Sequence, residues 1–111
     1  MERGLLARCG VTDLEFGVSA RSGADHRSVG IYRRDALEYL TTPDTVWDRA
    51  WQVQEALADT GLHRTVKIPD LIIAAIAEHH GVSVLHYDHD FERIATVTGQ
   101  AVEWVVPAGS V

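Results

Sequence analysis

The sequence predicts an α/β fold with a central parallel sheet flanked by helices. The main indication is the order of elements in the last third of the chain, which alternates helix and strand over residues 68–81, 82–86, 88–97 and 102–106. Helices that alternate with short β-branched runs are typical of parallel sheets. With 111 residues, of which 46% are hydrophobic, the chain is long enough for one compact domain and too short for two. We therefore predict a single domain over residues 1–111.

Three helices are predicted in the first sixty residues. The hydroxyl group of Thr12 is expected to cap the first one. Apolar residues that recur every three or four positions predict the second helix over residues 24–40. The third helix would begin after a cap at Asp44 or Thr45 and end at Gly61, and its apolar stripe consists of Val46, Ala50, Val53 and Leu57.

The helix over residues 68–81 is the clearest element of the sequence. Pro69 is placed at its start and Gly81 at its end, as expected for these residue types. Its residues are apolar on nearly every face, which predicts a buried central helix. Asp70 lies in the first turn, where a carboxylate also benefits from the helix dipole, so a purely structural role is an open alternative for this residue.

The charge distribution disfavours a protein that binds nucleic acid through its net charge. The formal net charge is −6, although nine of the ten lysines and arginines precede residue 70. This asymmetry allows an acidic pocket beside a basic approach surface. The lone Cys9 cannot form an internal disulfide and is expected to be a small buried side chain. Since no segment resembles a membrane span or a secretory signal, we expect a cytoplasmic protein.

Two aspartates follow the predicted strand over residues 82–86. Ligand sites of parallel α/β sheets lie just outside the carboxyl ends of the strands, which is where Asp88 and Asp90 fall. Neighbouring carboxylates repel each other unless a cation or hydrogen bonds offset their charge. Mg²⁺ or Mn²⁺ suits such oxygen ligands. The alternative is that Asp88 caps the following helix and Asp90 is solvated.

Other candidate ligands are less well defined by the residues alone. Glu15 and Asp13 both lie near a helix start, and the sequence does not choose between them. Zinc is disfavoured because its usual ligand spacings are missing and no cysteines accompany the histidines, which are His79, His80, His86 and His89.

Three sequence motifs resemble those of the PIN-domain toxins of the VapC type. The sequence IPDLIIAA at residues 68–75 and the sequence LHYDHDFERI at residues 85–94 are similar to the two C-terminal signatures of that family. The sequence VTDLEF at residues 11–16 resembles the motif that carries the second acid of the family. The resemblance implies a PIN fold whose acidic pocket binds Mg²⁺ or Mn²⁺ and hydrolyses RNA phosphodiester bonds.

The resemblance also assigns roles to individual residues. It selects Glu15 as the second acid, Asp70 as the third and Asp88 as the fourth, with Asp90 assisting as a further metal ligand. We expect the basic residues just upstream of the third acid, Arg64 and Lys67, to bind the RNA backbone. The expected protein partners are a VapB-type antitoxin and a second copy of the chain, as a homodimer.

The sequence departs from the family pattern at the beginning of the chain. PIN domains open with a strand that ends in an aspartate, and we expect both this strand and the first helix to be missing here, so the fold is expected to be N-terminally truncated. Two alternatives to an active toxin follow. One is an inactive toxin remnant that still binds an antitoxin, and the other is a PIN-like nuclease that processes RNA outside a toxin pair.

Overall fold

The computed structural model describes residues 7–86 and 89–104, and the side chains of residues 85, 86 and 104 are left out of the description. The chain divides into two compact units, residues 1–42 and residues 43–111. Within the described parts, no helix is both long and apolar enough to cross a membrane.

The first unit contains two strands and two helices. In chain order they are β1 (Ala7–Arg8), α1 (Gly10–Val18), α2 (Gly23–Ala36) and β2 (Glu38–Tyr39). Strands β1 and β2 pair in parallel, with Ala7 opposite Glu38, and the Leu40 N–H extends the pairing by donating to the Arg8 carbonyl at 2.8 Å. Helices α1 and α2 pack against each other.

Two predicted boundaries in this unit are wrong. Helix α1 begins before Thr12, because Cys9 is its N-cap and Thr12 is the third helical residue. The Thr12 hydroxyl accepts from the Cys9 N–H at 2.9 Å and donates to the Cys9 carbonyl at 3.0 Å. Helix α2 ends at Ala36 rather than at residue 40, because Leu37 has an extended backbone that leads into β2. Cys9 is buried, as expected.

The second unit contains three helices and two strands. They are α3 (Thr45–Ala58), α4 (Ile68–His80), β3 (Val84–His86), α5 (His89–Thr98) and β4 (Val102–Trp104). Strands β3 and β4 pair in parallel, with Val84 opposite Val102, so the predicted parallel arrangement is confirmed. The described strands form two separate pairs, one in each unit. The predicted strand over residues 82–86 begins two residues later than expected, and residues 105–106 lie outside the described part of the chain.

Helices α3, α4 and α5 form the core of the second unit by packing against one another. The predicted stripe of α3 is confirmed, because its four members are all buried. Trp47 and Trp51, on the same helix, are exposed. Helix α4 is buried over most of its length, and Gly81 ends it with a φ of 68°, a left-handed conformation that glycine adopts without strain.

Candidate active site

Two of the predicted acids lie together in the second unit. Asp70 is in the first turn of α4, and Asp90 is in the first turn of α5. Both are buried, with 6% and 2% of their surface exposed, and the Oδ2 atom of each lies within 3.6 Å of the Lys67 ammonium. A carboxylate is rarely buried unless charged or polar partners offset the loss of its hydration. The structure therefore brings these two predicted acids into one environment.

Asp90 joins the starts of the two helices. Its Oδ2 atom accepts from the backbone N–H of Lys67 at 3.0 Å and from the Lys67 ammonium at 3.0 Å. Its Oδ1 atom accepts from Arg93 Nη1 at 3.1 Å. Because Lys67 is the N-cap residue of α4, the first of these bonds fixes the beginning of the helix that carries Asp70. Asp90 is therefore not the solvated residue of the alternative interpretation.

The electrostatic state of Asp90 reflects these partners. Burial alone would raise its pKa, but hydrogen bonds from the Lys67 backbone N–H, the Asp70 side chain and the Lys67 ammonium hold the pKa below the ordinary value of 3.8. Asp90 is therefore ionised at neutral pH, and its negative charge is available to a cation.

The Lys67 ammonium lies between the two acids. It is 3.0 Å from Asp90 Oδ2 and 3.6 Å from Asp70 Oδ2. The Lys67 side chain is 62% exposed, so its ammonium group reaches the buried carboxylates from the solvent side. Arg64, the other basic residue that we expected to bind RNA, is exposed. The sequence put Lys67 just before Asp70, but it gave no indication that Lys67 would contact both Asp70 and Asp90.

The oxygen ligands of this pair suit a hard divalent cation. Carboxylate oxygens are the protein ligands that Mg²⁺ and Mn²⁺ prefer, and buried acids that already attract an ammonium group can accept a metal charge instead. Asp88 lies outside the described residues. Among the residues that are described, no group of three or more acids, histidines or cysteines lies close enough to hold a metal ion. Within the described part of the chain, the pair Asp70 and Asp90 is therefore the candidate for holding a metal.

The two acids of α1 have different environments. Asp13 accepts from Arg8 Nη1 at 2.6 Å and from Arg33 Nε at 2.8 Å. Burial alone would raise the pKa of Asp13, but these two guanidinium groups hold it below the ordinary value of 3.8. The side chain of Glu15 is exposed. Asp13 is thus engaged in structural ion pairs, whereas Glu15 belongs to the first unit with its carboxylate open to solvent, and its part in the site stays a prediction.

Sequence reasoning missed two arginines that contact candidate acids. Arg93 follows Asp90 by three residues on α5, a helical spacing that brings side chains into contact and could have predicted the pair. Arg33 is only 7% exposed and contacts residues 20 and 21 positions away, through Asp13 and Thr12. No local sequence signal predicts such a long-range contact.

Comparisons with known proteins agree with this picture. A protein-family model described as PIN domain matches residues 2–97. Ribonuclease VapC21 of Mycobacterium tuberculosis (strain ATCC 25618 / H37Rv) is 76% identical over 110 residues, which cover 99% of this chain and 80% of the relative. Ribonuclease VapC51 of the same strain is 44% identical, covering 99% of this chain and 79% of the relative.

A solved structure is also similar. It is a crystal structure of a member of the VapBC family of toxin-antitoxin systems, VapBC-5, from Mycobacterium tuberculosis. The TM-score is 0.61 at 28% sequence identity, and the match covers 89% of this chain and 79% of the other.

Proposed function

Since the chain belongs to the PIN-domain family of VapC-type proteins, we propose that it is an endoribonuclease toxin of a type II toxin–antitoxin pair. The observation that carries this proposal is the buried pair of acids, Asp70 and Asp90, which lie at the starts of two helices with the Lys67 ammonium within 3.6 Å of both. Two acids fixed in one pocket are suited to hold a cation against a phosphodiester group. We propose that residues 1–111 form a single PIN domain in the cytoplasm, supported by a family match that spans both units.

The proposed reaction depends on Mg²⁺ or Mn²⁺. Asp70 and Asp90 would hold the metal, and the resemblance to the family implies Asp88 and Glu15 as further ligands. When bound, such a metal supplies a more acidic water molecule and an electrostatic clamp for the charge that develops on phosphate.

The residues around the acids have supporting roles in this proposal. Asp90 positions the beginning of α4 through its bond to the Lys67 N–H, and Arg93 keeps Asp90 in place through Oδ1. The exposed Arg64 and the ammonium of Lys67 would supply positive charge to an approaching RNA backbone.

We also propose two protein partners, a VapB-type antitoxin and a second copy of the chain. Support comes from large apolar side chains that are exposed on α1 and α2, an arrangement typical of protein-binding surfaces. These residues are Leu14, Phe16, Val18, Ile31 and Tyr32.

The function is tested by RNA cleavage with matched variants. The full chain is incubated with structured RNA and Mn²⁺, alongside Asp70→Asn and a control, Asp48→Asn, which changes an exposed acid on α3. We expect cleavage by the wild type and by Asp48→Asn, and at least a hundredfold loss, on the order of that seen when a transition-state contact is removed, in Asp70→Asn. A chelator should abolish all cleavage.

Circular dichroism spectra of the three proteins establish that each is folded. Folded wild-type protein that cuts no RNA at any Mn²⁺ concentration would contradict the proposal and favour the inactive remnant. Cleavage that survives both the chelator and the Asp70 substitution would place the activity at another site.

A further inference from the structure

The Lys67 ammonium contacts both buried acids of the candidate site. Its positive charge lies 3.0 Å from Asp90 Oδ2 and 3.6 Å from Asp70 Oδ2 and so offsets charge on both acids. Two buried carboxylates repel each other strongly, so a nearby positive charge stabilises their common pocket. A divalent cation held by the same oxygens would repel the ammonium from this position.

The side chain of Lys67 can move away from the two acids. It is 62% exposed, and its charge is a compact ammonium group on a flexible four-carbon stem. The backbone N–H of Lys67 bonds separately to Asp90 at 3.0 Å, so the start of α4 does not depend on where the ammonium lies. The side chain can therefore move without the helix.

We propose that Lys67 is a resident counter-ion of the acidic pocket and competes with the divalent metal for Asp70 and Asp90. This inference rests on the proposed function, because it assumes that these acids bind the metal. In the metal-free protein the ammonium stabilises the acids, and when the metal binds it swings toward solvent. Lys67 thereby lowers the metal affinity of the pocket and stabilises the fold while no metal is bound.

The test measures Mn²⁺ affinity by isothermal titration calorimetry and metal-free stability by thermal unfolding, using the full chain. Lys67→Met removes the charge and retains a similar stem, whereas Lys67→Arg keeps the charge. Arg64→Met is the matched control, because it removes an exposed positive charge three residues away for which the described structure gives no ion pair. Asp70→Asn reports whether the measured binding occurs at this pocket.

Lys67→Met should bind Mn²⁺ about fivefold more tightly than the wild type, which corresponds to the loss of one partly exposed ion pair. Without metal it should melt about 2–4 °C lower. Lys67→Arg should resemble the wild type, and Arg64→Met should change the affinity by less than about twofold. If Lys67→Met does not fold, Lys67→Gln replaces it, because its amide can still donate to a carboxylate. We expect the same tighter Mn²⁺ binding and the same lower melting temperature for Lys67→Gln.

Three results would overturn the inference. Unchanged Mn²⁺ affinity in the neutral Lys67 variants, with binding lost in Asp70→Asn, would refute the competition and leave the metal site intact. An equal gain in Arg64→Met would show a general charge effect instead. Mn²⁺ binding by none of the proteins would refute the competition and the proposed metal site together.

Discussion

Replacing Asp13 by asparagine should destabilise the first unit, whereas Glu15→Gln should not. The two acids lie two residues apart on α1, so they are a matched pair for separating a structural acid from a proposed metal ligand. Asp13 holds two arginines through both of its oxygens, and Glu15 is exposed to solvent. The substitution Asp13→Asn keeps the side-chain volume and removes the charge.

The expected loss follows from the contacts of Asp13. Hydrogen bonds between charged groups contribute about 1.5–3 kcal/mol each, and here there are two, to Arg8 at 2.6 Å and to Arg33 at 2.8 Å. The Asp13 side chain is 30% exposed, so solvent screening reduces both contributions. Arg33 retains its bond to Thr12 at 3.2 Å and its stacking on Phe16, with the ring centroid 4.2 Å from Cζ. We therefore expect the free energy of unfolding to fall by about 2 kcal/mol.

Urea unfolding followed by circular dichroism at neutral pH measures this change. Glu15→Gln should unfold within about 0.5 kcal/mol of the wild type, as an exposed substitution normally does, while losing Mn²⁺ affinity. The reasoning is refuted if Glu15→Gln destabilises the chain as much as Asp13→Asn. It is equally refuted if Asp13→Asn unfolds like the wild type and loses Mn²⁺ binding.

Two further predictions concern the second unit. Arg49 donates two hydrogen bonds to Glu78, at 2.6 and 2.9 Å, and these hold the pKa of Glu78 below its ordinary 4.5. Arg49→Met should therefore lower the free energy of unfolding by about 1 kcal/mol at neutral pH. An acid whose pKa is lowered by folding stabilises the protein at a pH above its ordinary pKa, and this contribution is lost as the pH falls. The difference from the wild type should therefore shrink in urea titrations below pH 4.5. A difference that does not depend on pH would contradict this origin. Leu57 has no exposed surface, so Leu57→Ala should lower the stability by about 2–5 kcal/mol in the same assay. Trp51→Leu, at an exposed position of the same helix, should change it by less than about 0.5 kcal/mol, and similar losses in both variants would argue against the packing described here.

The parts of the fold that could be predicted are those whose signals are local. The apolar stripe of α3 follows from side chains that recur on one helical face. The limits of α4 follow from Pro69 and Gly81, which act through the backbone at their own positions. In both cases the residues that determine the structure are close together in the sequence.

The parts that escaped prediction depend on distant residues or on an unusual cap. Strand β2 is only two residues long, and it exists because it pairs with β1 some thirty residues earlier in the chain, which no local pattern reveals. Cysteine is not among the preferred N-cap residues, whereas threonine is. The sequence therefore favoured Thr12 as the N-cap of α1, although the helix begins after Cys9. The contact of Lys67 with Asp90, 23 positions away, likewise arises only when α4 and α5 pack together.

Helix α4 restricts how this protein can diverge from its relatives. The helix that carries Asp70 also supplies buried side chains along most of its length, and the Ala74 carbonyl accepts a hydrogen bond from Gln100 at 3.0 Å. Substitutions along it change core volume and acid placement together, so few are tolerated. Evolutionary change in RNA preference should therefore accumulate in exposed residues outside this helix, such as Arg64, while α4 stays nearly constant.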